Sequence, residues 1–545
     1  MSTFSVDSLM AEFAKDADHL RAFYSQRMLS YLASRSKATY IATAIAAIFS
    51  FKLYKMSRVP KNLKHIPAVS FWVFMRSVLS GSSVHERMSL VYPVLANSPS
   101  GLYLVPSRGG WGIGVAGPQA LKAMFLRKAC FSKDDFLKSD TFVGDKRFLA
   151  ARLIGTQNIL QLNGSAWKKH RMIANPAFHR HMPIKLFGTL CEKMMVQFEM
   201  DGDGLSPVNI QEMMQRLTLD VIGLAGFGYN FESIEKPESN NALLYNDIVK
   251  GLRTPIFFFL PFLEKHMLWA FPNRQKQHKN LDILHGLYDD IIANKRKVLS
   301  EQKERNEDPE KDLLTLMIEA GQDDPSQALS NEELREDLSI FFIAGHDTTS
   351  NALSFAMYFL ASNLEIQKKA REEVIGIMGD GADTLYPTEA QISEFKYLFM
   401  IIKETLRICP PIQRSQLRGA EEDTELAGVV IPKGVLMHAE IYLTHHNPHI
   451  WKDPEVFRPE RFAPGGENEE NARNGLALAT FGGGARQCIG MNFSYAEQRV
   501  VLAMLLRKFT WSLPEDSIHK DHLRFTGGLG FLTPKTMHIN FKKRF

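Results

Sequence analysis

The segment from Ser330 to Asn363 constrains the fold more than any other part of this 545-residue chain. Ser330 and Glu333 have the spacing of a helix capping box, in which each side chain accepts a hydrogen bond from the other residue's backbone N–H. Further along, the runs LSIFFIAG and ALSFAMYFLA are apolar on nearly every side of a helix. Such a helix has to be buried all round. The segment therefore predicts one long helix that passes through the interior of a large helical body.

Helical periodicity also dominates the rest of the chain beyond residue 70, as in GLYDDIIANKRKVLSEQKE and SNLEIQKKAREEVIGIM. Short strand-like stretches interrupt it: GLYLVPS from Gly101, GVVIPKGVLMHAEIYL from Gly428 and TMHINFKK from Thr536. No stretch has the length and composition of an interdomain linker. The predicted fold class is mainly α with small β-sheets, and residues 70–545 are predicted to form one large domain.

Charge and cysteine content exclude several functional classes. The net charge is +5 with histidine neutral, which is too small and too evenly spread to indicate nucleic-acid binding. Cys130, Cys191, Cys409 and Cys488 are far apart and form no CxxC pair. Neither a disulfide framework nor a zinc site is therefore predicted, and a reducing compartment fits best.

The N-terminal region has the pattern of a membrane attachment. Residues 1–37 are mostly polar, and the uncharged run from Ala38 to Phe51 lies between Lys37 and Lys52. This run is shorter than the ~20 residues of a typical spanning helix, although flanking lysines extend its reach. We interpret residues 38–54 as a membrane anchor, and a helix that lies in the membrane interface is the alternative.

Basic residues and prolines follow this run. No acidic residue interrupts the basic ones, so the positive-inside rule places the main body in the cytosol. Pro60 and Pro67 predict a stiff neck over residues 55–69. The basic residues are Lys52, Lys55, Arg58, Lys61 and Lys64.

Cys488 lies in a glycine-rich loop, FGGGARQCIG, directly before an apolar pattern with helical spacing. Gly484 and its neighbours indicate a close approach of the backbone, and Gly490 allows a positive φ just after the cysteine. A cysteine before a helix N-terminus favours the thiolate. From these residues alone, Cys488 is a soft metal ligand, a nucleophile or a buried structural cysteine.

The pattern Phe481-x-x-Gly484-x-Arg486-x-Cys488-x-Gly490 resembles the haem-binding signature of the cytochrome P450 family. The resemblance implies that haem b, iron protoporphyrin IX, is the cofactor and that Cys488 is the axial thiolate ligand to its iron. It further implies that Phe481 packs near the ring and that Arg486 bonds a haem propionate.

Polar residues interrupt the long apolar helix from Gly345 to Ser350. One interpretation is that Thr348 bonds back to the Ala344 carbonyl and bends the helix. The other is that Gly345 and Thr348 open a groove for a small ligand, with Asp347 as a proton source. The segment resembles the oxygen-activating helix of the same family, which implies that Asp347 and Thr348 relay protons, while His346 occupies a variable position.

Three charged residues match the family's buried charge triad. Glu404 and Arg407 are one helical turn apart, a spacing that also occurs in ordinary surface ion pairs. Arg461 lies downstream in FRPERF. The resemblance implies that the three form a structural triad that specifies the fold and assembles the haem pocket.

Further residues are candidates for the haem propionates. Trp167 and Arg171 are four apart and share one helix face, as in any amphipathic helix. The resemblance to the family's Trp-x-x-x-Arg implies that both reach the propionates. Another arginine follows the double proline in this family, and Arg418 is selected over Arg414, although the spacing fits neither well.

The resemblance covers the chain after the anchor and implies a cytochrome P450 fold with haem between a long central helix and the Cys488 loop. The expected function is a monooxygenase that hydroxylates or epoxidises a lipophilic small molecule. Its electrons would come from NADPH through a separate cytochrome P450 reductase, with cytochrome b5 as a second candidate donor. The expected location is the endoplasmic reticulum membrane, with a single-pass anchor and a cytosolic catalytic domain. The alternatives are a haem-thiolate isomerase or dehydratase that does not use O2, and a non-catalytic haem-binding membrane protein.

Overall fold

The computed structural model describes most of the chain after residue 36. The described residues are 37–107, 110–127, 130–133, 145–179, 182–201, 207–237, 240–252, 254, 256–257, 260–305, 311–324, 328–383, 385–526 and 530–545.

Helices account for most of these residues, as the sequence predicts. They are α1 (Lys37–Ser57), α2 (Phe71–Leu79), α3 (Val84–Ser89), α4 (Tyr92–Ala96), α5 (Pro118–Leu126), α6 (Leu149–Ile154), α7 (Gly164–His179), α8 (Ile184–Asp201), α9 (Ile210–Phe227), α10 (Asn240–Leu252), α11 (Pro261–Met267), α12 (Pro272–Arg305), α13 (Leu313–Asp323), α14 (Asn331–Ser362), α15 (Leu364–Met378), α16 (Glu389–Glu394), α17 (Lys396–Ile408), α18 (Ile441–His445), α19 (Glu467–Arg473) and α20 (Met491–Lys508).

The strands form small sheets. They are β1 (Leu102–Ser107), β2 (Gly110–Val115), β3 (Phe131–Lys133), β4 (Val208–Asn209), β5 (Arg418–Ala420), β6 (Thr424–Leu426), β7 (Val429–Ile431), β8 (Leu436–Ala439), β9 (Phe509–Ser512), β10 (Phe525–Thr526), β11 (Thr533–Pro534) and β12 (His538–Lys543). One sheet has the order β1-β2-β8-β5-β3, another has the order β4-β12-β9, and β6-β7 and β10-β11 are separate pairs. The strand-like run from Gly428 is therefore divided between two sheets.

Helix α14 is the long buried helix that the sequence predicts. Ser330 and Glu333 form the expected capping box at its start. Its first half, Leu334 to Phe342, packs in one hydrophobic cluster, and its second half, Ala352 to Ala361, packs in another. The polar interruption lies between the two clusters, which is why a break in the apolar pattern does not break the helix.

The chain divides into two compact units. The smaller one contains residues 1–61 and 106–111, and its described part includes helix α1. Ile48, Phe51 and Tyr54 are exposed on this helix. Among the described residues, no helix combines the length and the apolar character that crossing a membrane requires. The larger unit contains residues 62–105 and 112–545 and holds every candidate site residue.

Candidate functional site

The loop that carries Cys488 is held in shape by its glycines and by its own backbone. Gly484 has φ +64°, and a Cβ there would lie 2.5 Å from the Phe125 carbonyl oxygen, so only glycine fits. The Cys488 N–H donates to the Phe481 carbonyl over 2.9 Å, which closes the loop. Helix α20 begins three residues later, with Gly490 as its N-cap at φ −85°. The positive φ expected at Gly490 is therefore wrong; this glycine ends the loop in an ordinary conformation.

The surroundings of the Cys488 thiol act on its pKa in both directions. The side chain is accessible to solvent, but protein encloses it on most sides. Desolvation raises the pKa of Cys488, while a hydrogen bond from the Gly490 N–H and the charge of Arg171 lower it, and the net direction is upward. The backbone N–H at the start of the helix therefore lowers the pKa of Cys488, as the sequence predicts, but desolvation outweighs this effect.

Arg486 lies at the centre of a group of cations beside this loop. Its Nη2 donates to the Leu162 carbonyl over 2.6 Å and to Asn163 Oδ1 over 3.0 Å. Its guanidinium lies 4.0 Å from the centre of the Trp167 ring. Arg171 reaches the same loop and donates to the Gln487 carbonyl over 2.9 Å. The structure therefore brings Trp167, Arg171 and Arg486 together beside Cys488.

Their contacts distinguish the two candidates for the arginine after the double proline, Arg414 and Arg418. Arg418 is buried on β5 and donates to the Phe131 carbonyl over 3.1 Å. Its charge acts on Arg486, whose pKa it lowers. Arg414 instead pairs with Glu440 at 3.0 Å. Arg418 rather than Arg414 thus belongs to the group beside the Cys488 loop.

Lys133 is a fourth cation of this group, and the sequence analysis missed it. It lies on β3 directly opposite Arg418 in the antiparallel ladder, although like charges at such positions repel. Desolvation, followed by the charges of Arg486, Arg418 and Arg171, lowers the pKa of Lys133 well below its usual value. We call Lys133, Arg171, Arg418 and Arg486 the cationic cluster.

The cationic cluster has the character of an anion site. In the described part of the chain, its four side chains donate to carbonyl or amide oxygens and form no ion pair with a carboxylate. Arg486 Nη1 is buried and has no hydrogen-bond acceptor among the residues that the structure describes. Desolvation and the charges of Arg418 and Arg171 lower the pKa of Arg486 to about 9. Like charges that are partly removed from water and have no carboxylate partner favour a bound anion, so the cationic cluster has the chemistry of an anion-binding site.

The polar interruption of α14 has an accessible side and a packed side. Ala344 is exposed and Thr348 half-buried, although the helix around them is buried. Thr348 Oγ1 donates to the Ala344 carbonyl over 2.6 Å, which is the bond that the first interpretation predicts, and its oxygen can still accept a proton. Gly345 does not open a groove: a Cβ there would lie 3.0 Å from Ile222 on α9, so this glycine lets the two helices pack.

Asp347 and His346 are both buried. His346 Nδ1 lies 3.0 Å from Thr218 Oγ1 on α9, and its Nε2 lies 3.8 Å from Asp347 Oδ1. The hydroxyl of Ser350 donates to the Asp347 backbone carbonyl over 3.1 Å. His346 thus contributes to the packing and hydrogen bonding between α14 and α9. Asp347 and Thr348 occupy adjacent positions on α14.

Glu404, Arg407 and Arg461 form one fully buried ion cluster. Glu404 accepts from Arg407 Nε over 2.7 Å and from Arg461 Nε over 3.1 Å. His445 connects this cluster to the cysteine loop, because its Nδ1 lies 3.0 Å from the Arg407 carbonyl while its Nε2 accepts from the Ala479 N–H over 2.9 Å. Desolvation and the charge of Arg407 lower the pKa of His445 well below its usual value, consistent with a neutral ring that donates on one side and accepts on the other.

Comparison with known proteins identifies this arrangement. The family model described as Cytochrome P450 matches residues 118–540. The chain belongs to the cytochrome P450 family. It is 30% identical to Cytochrome P450 4A22 of Homo sapiens over 67% of this chain and 70% of that protein. It is 32% identical to Cytochrome P450 4A6 of Oryctolagus cuniculus over 67% of this chain and 71% of that protein.

Comparison with solved structures shows the same fold. The structure titled "Crystal structure of cytochrome P450DA heme domain" superimposes with a TM-score of 0.71 at 22% identity, over 88% of this chain and 98% of that one. The predicted cytochrome P450 fold is confirmed. The protein is a haem-thiolate monooxygenase that acts on lipophilic small molecules, with haem b as cofactor and NADPH-derived electrons supplied by a reductase.

Proposed function

We propose that Cys488 is the axial ligand to haem iron and that the cationic cluster, together with Trp167, binds the two propionates. The observation that carries this proposal is the buried, acceptor-free Nη1 of Arg486 beside three further cations and next to the Cys488 loop. When bound, haem supplies the redox chemistry that activates dioxygen. Gly484 and Gly490 allow the loop backbone to approach it closely, and Phe481, whose ring centre lies 5.0 Å from that of Tyr495, supports the loop from behind.

We propose that Asp347 and Thr348 deliver the protons that O–O bond cleavage requires. Thr348 lies on the accessible side of α14, and its oxygen can accept a hydrogen bond from Asp347 or from water. To pass a proton towards the substrate side, its O–H has to turn away from the Ala344 carbonyl. An isomerase or dehydratase that does not use O2 has no need of this acid–alcohol pair. Product formation that depends on O2 distinguishes the two classes.

The substitution Thr348→Ala tests this relay. We expect the variant to keep its haem and its thiolate-type spectrum but to divert reducing equivalents to peroxide. Positioned proton transfer contributes on the order of 10²–10⁴-fold, so product formed per NADPH oxidised should fall by at least about tenfold. The matched control is Thr348→Ser, which keeps the hydroxyl and should keep the coupling. Unchanged coupling in Thr348→Ala would remove Thr348 from the relay.

We propose that helix α1 holds the protein on the endoplasmic reticulum membrane with residues 70–545 as a cytosolic catalytic domain behind the neck of residues 55–69. Exposed Ile48, Phe51 and Tyr54 give α1 an apolar surface, and Lys52, Lys55 and Arg58 suit the cytosolic side of a membrane with anionic lipids. NADPH–cytochrome P450 reductase and cytochrome b5 are the proposed electron donors. Sterols, steroids, fatty acids, terpenoids and xenobiotics are all candidate substrates.

Fractionation of cells that express the full chain tests this location. We expect the protein to sediment with endoplasmic reticulum vesicles and the catalytic domain to be digested by protease added to intact vesicles. Resistance to carbonate extraction indicates a spanning α1, and release indicates a helix on the surface. Protection of the catalytic domain until detergent is added would contradict the proposed orientation.

A further inference from the structure

A buried histidine joins the helix that carries Trp167 and Arg171 to the central helix. His170 on α7 is 1% exposed and Asp337 on α14 is 0% exposed. His170 Nδ1 lies 2.6 Å from Asp337 Oδ2, and its Nε2 lies 3.4 Å from Glu333 Oε1. Because an ionised carboxylate only accepts hydrogen bonds, His170 donates from Nδ1 to Asp337, and the charged imidazolium donates from Nε2 to Glu333 as well.

The same two turns of α14 also hold the chain segment that leads into α7. Asp337 Oδ1 accepts from the Ile159 N–H over 2.7 Å. Glu336 Oε2 accepts from the Thr156 N–H over 2.7 Å and also from the Gln157 N–H. The start of α14 therefore fixes residues 156–159 through their backbone and α7 through His170.

The segment that is fixed in this way carries most of the partners of the cationic cluster. Leu162 and Asn163 accept from Arg486, and Trp167 lies under its guanidinium. Arg171 follows His170 directly and donates to the Gln487 carbonyl beside Cys488. A shift of α7 along α14 would displace all of these contacts together, whereas the polar interruption of α14 would stay where it is.

We propose that His170 is a positioning residue whose positive charge fixes α7 against α14 and so sets the cationic cluster in place relative to the polar interruption of α14. This inference rests on the proposed role of the cationic cluster in binding the haem propionates. In the described part of the chain His170 hydrogen-bonds to Asp337 and Glu333 and to neither the cysteine loop nor the cationic cluster, so it acts through Trp167 and Arg171.

The charge of His170 makes this positioning depend on pH. Asp337 and Glu333 of α14 face the ring, and Lys169 of its own helix acts on Glu333. Desolvation lowers the pKa of His170, but the hydrogen bond to Asp337 and the charges of Asp337 and Glu333 outweigh it, so the pKa of His170 is raised. Burial raises the pKa of Asp337 as well. While Asp337 is ionised, the contribution of the His170 charge is present below the unfolded value of ~6.5 and is lost as the pH rises through the raised value.

The rate of haem transfer from the full-length holoenzyme to excess apomyoglobin tests the proposal when it is measured between about pH 6 and pH 8, below the pKa of about 9 at which Arg486 itself loses its charge. We expect the wild-type rate to rise at least about tenfold as His170 loses its proton, since a hydrogen bond to a charged group contributes more than the ~1.4 kcal/mol to which tenfold corresponds. His170→Gln should transfer haem at the fast rate over the whole range. Lys168→Gln, which removes an exposed charge from the same helix, should follow the wild type.

The isosteric variant Asp337→Asn provides a second test. It removes the negative charge that faces His170, so its rate of haem transfer should also stay constant with pH. A wild-type profile without the rise, or a rise that persists in His170→Gln or Asp337→Asn, overturns the proposal. Arg486→Leu distinguishes this failure from a failure of the proposed propionate site: it speeds haem transfer when the cluster binds the propionates and leaves the rate unchanged when it does not.

Discussion

Replacing Cys488 by alanine is expected to reduce monooxygenation to the level of a reaction without enzyme. The substitution removes the sulfur that we assign to the iron, and no other cysteine of the chain is near in sequence to replace it. Haem without its thiolate lacks the electron donation that favours O–O cleavage. The loss of activity is measured as product formation by the variant with NADPH, reductase and O2 over a panel of lipophilic substrates.

The fold of the Cys488→Ala variant should be intact, because alanine keeps the backbone hydrogen bond from residue 488 to the Phe481 carbonyl that closes the loop. The matched control is Cys130→Ala, which removes a half-buried cysteine from a loop position outside the proposed ligand set and should keep full turnover. Substantial turnover by a folded Cys488→Ala protein would contradict the ligand assignment.

Replacing Glu404 by glutamine is expected to prevent assembly of the folded haem protein. The carboxylate accepts from Arg407, from Arg461 and from the Arg458 N–H over 2.9 Å, and both guanidinium groups are fully buried with it. Removing one partner of a buried ion pair costs ~3–5 kcal/mol. Native domains are stable by only ~5–15 kcal/mol, so between about a fifth and all of the stability is lost. The yield of soluble, haem-containing protein measures the effect.

Glu394→Gln is the matched control for the loss of the Glu404 carboxylate. It removes an exposed carboxylate from α16, directly before the helix that carries Glu404, and should leave yield and haem content unchanged. Because His445 connects Arg407 to the segment before the cysteine loop, Glu404→Gln should lose haem before it loses helical circular dichroism. A normal yield of holoenzyme would show that the buried triad is dispensable.

The features that could be predicted from sequence are those that local patterns encode. The apolar run on both sides of residues 345–350 predicts α14, and its capping box fixes the start. The glycine-rich loop before α20 follows from residues that are adjacent in the chain. Both features depend on residues that are close together in sequence, so a local sequence pattern predicts them.

The features that could not be predicted depend on residues far apart in the chain. Asp337 lies 167 residues after His170, and no local pattern relates the two. Lys133 belongs to the cationic cluster only because β3 pairs with β5, which brings it opposite Arg418. The choice between Arg414 and Arg418 depends in the same way on where Glu440 lies. One of the two interpretations of the polar interruption places Gly345 at a groove, because its neighbour across the helix interface, Ile222 of α9, is far away in sequence.

The absorption spectrum of the reduced carbon monoxide complex tests the central claim most directly, since it reports the atom that ligates the iron on the side opposite carbon monoxide. We expect the purified wild-type holoenzyme to have the thiolate-type Soret band and Cys488→Ala to lack it while Cys130→Ala retains it. A wild-type band of the imidazole type, or a thiolate-type band in Cys488→Ala, would contradict the assignment of Cys488 as the haem ligand.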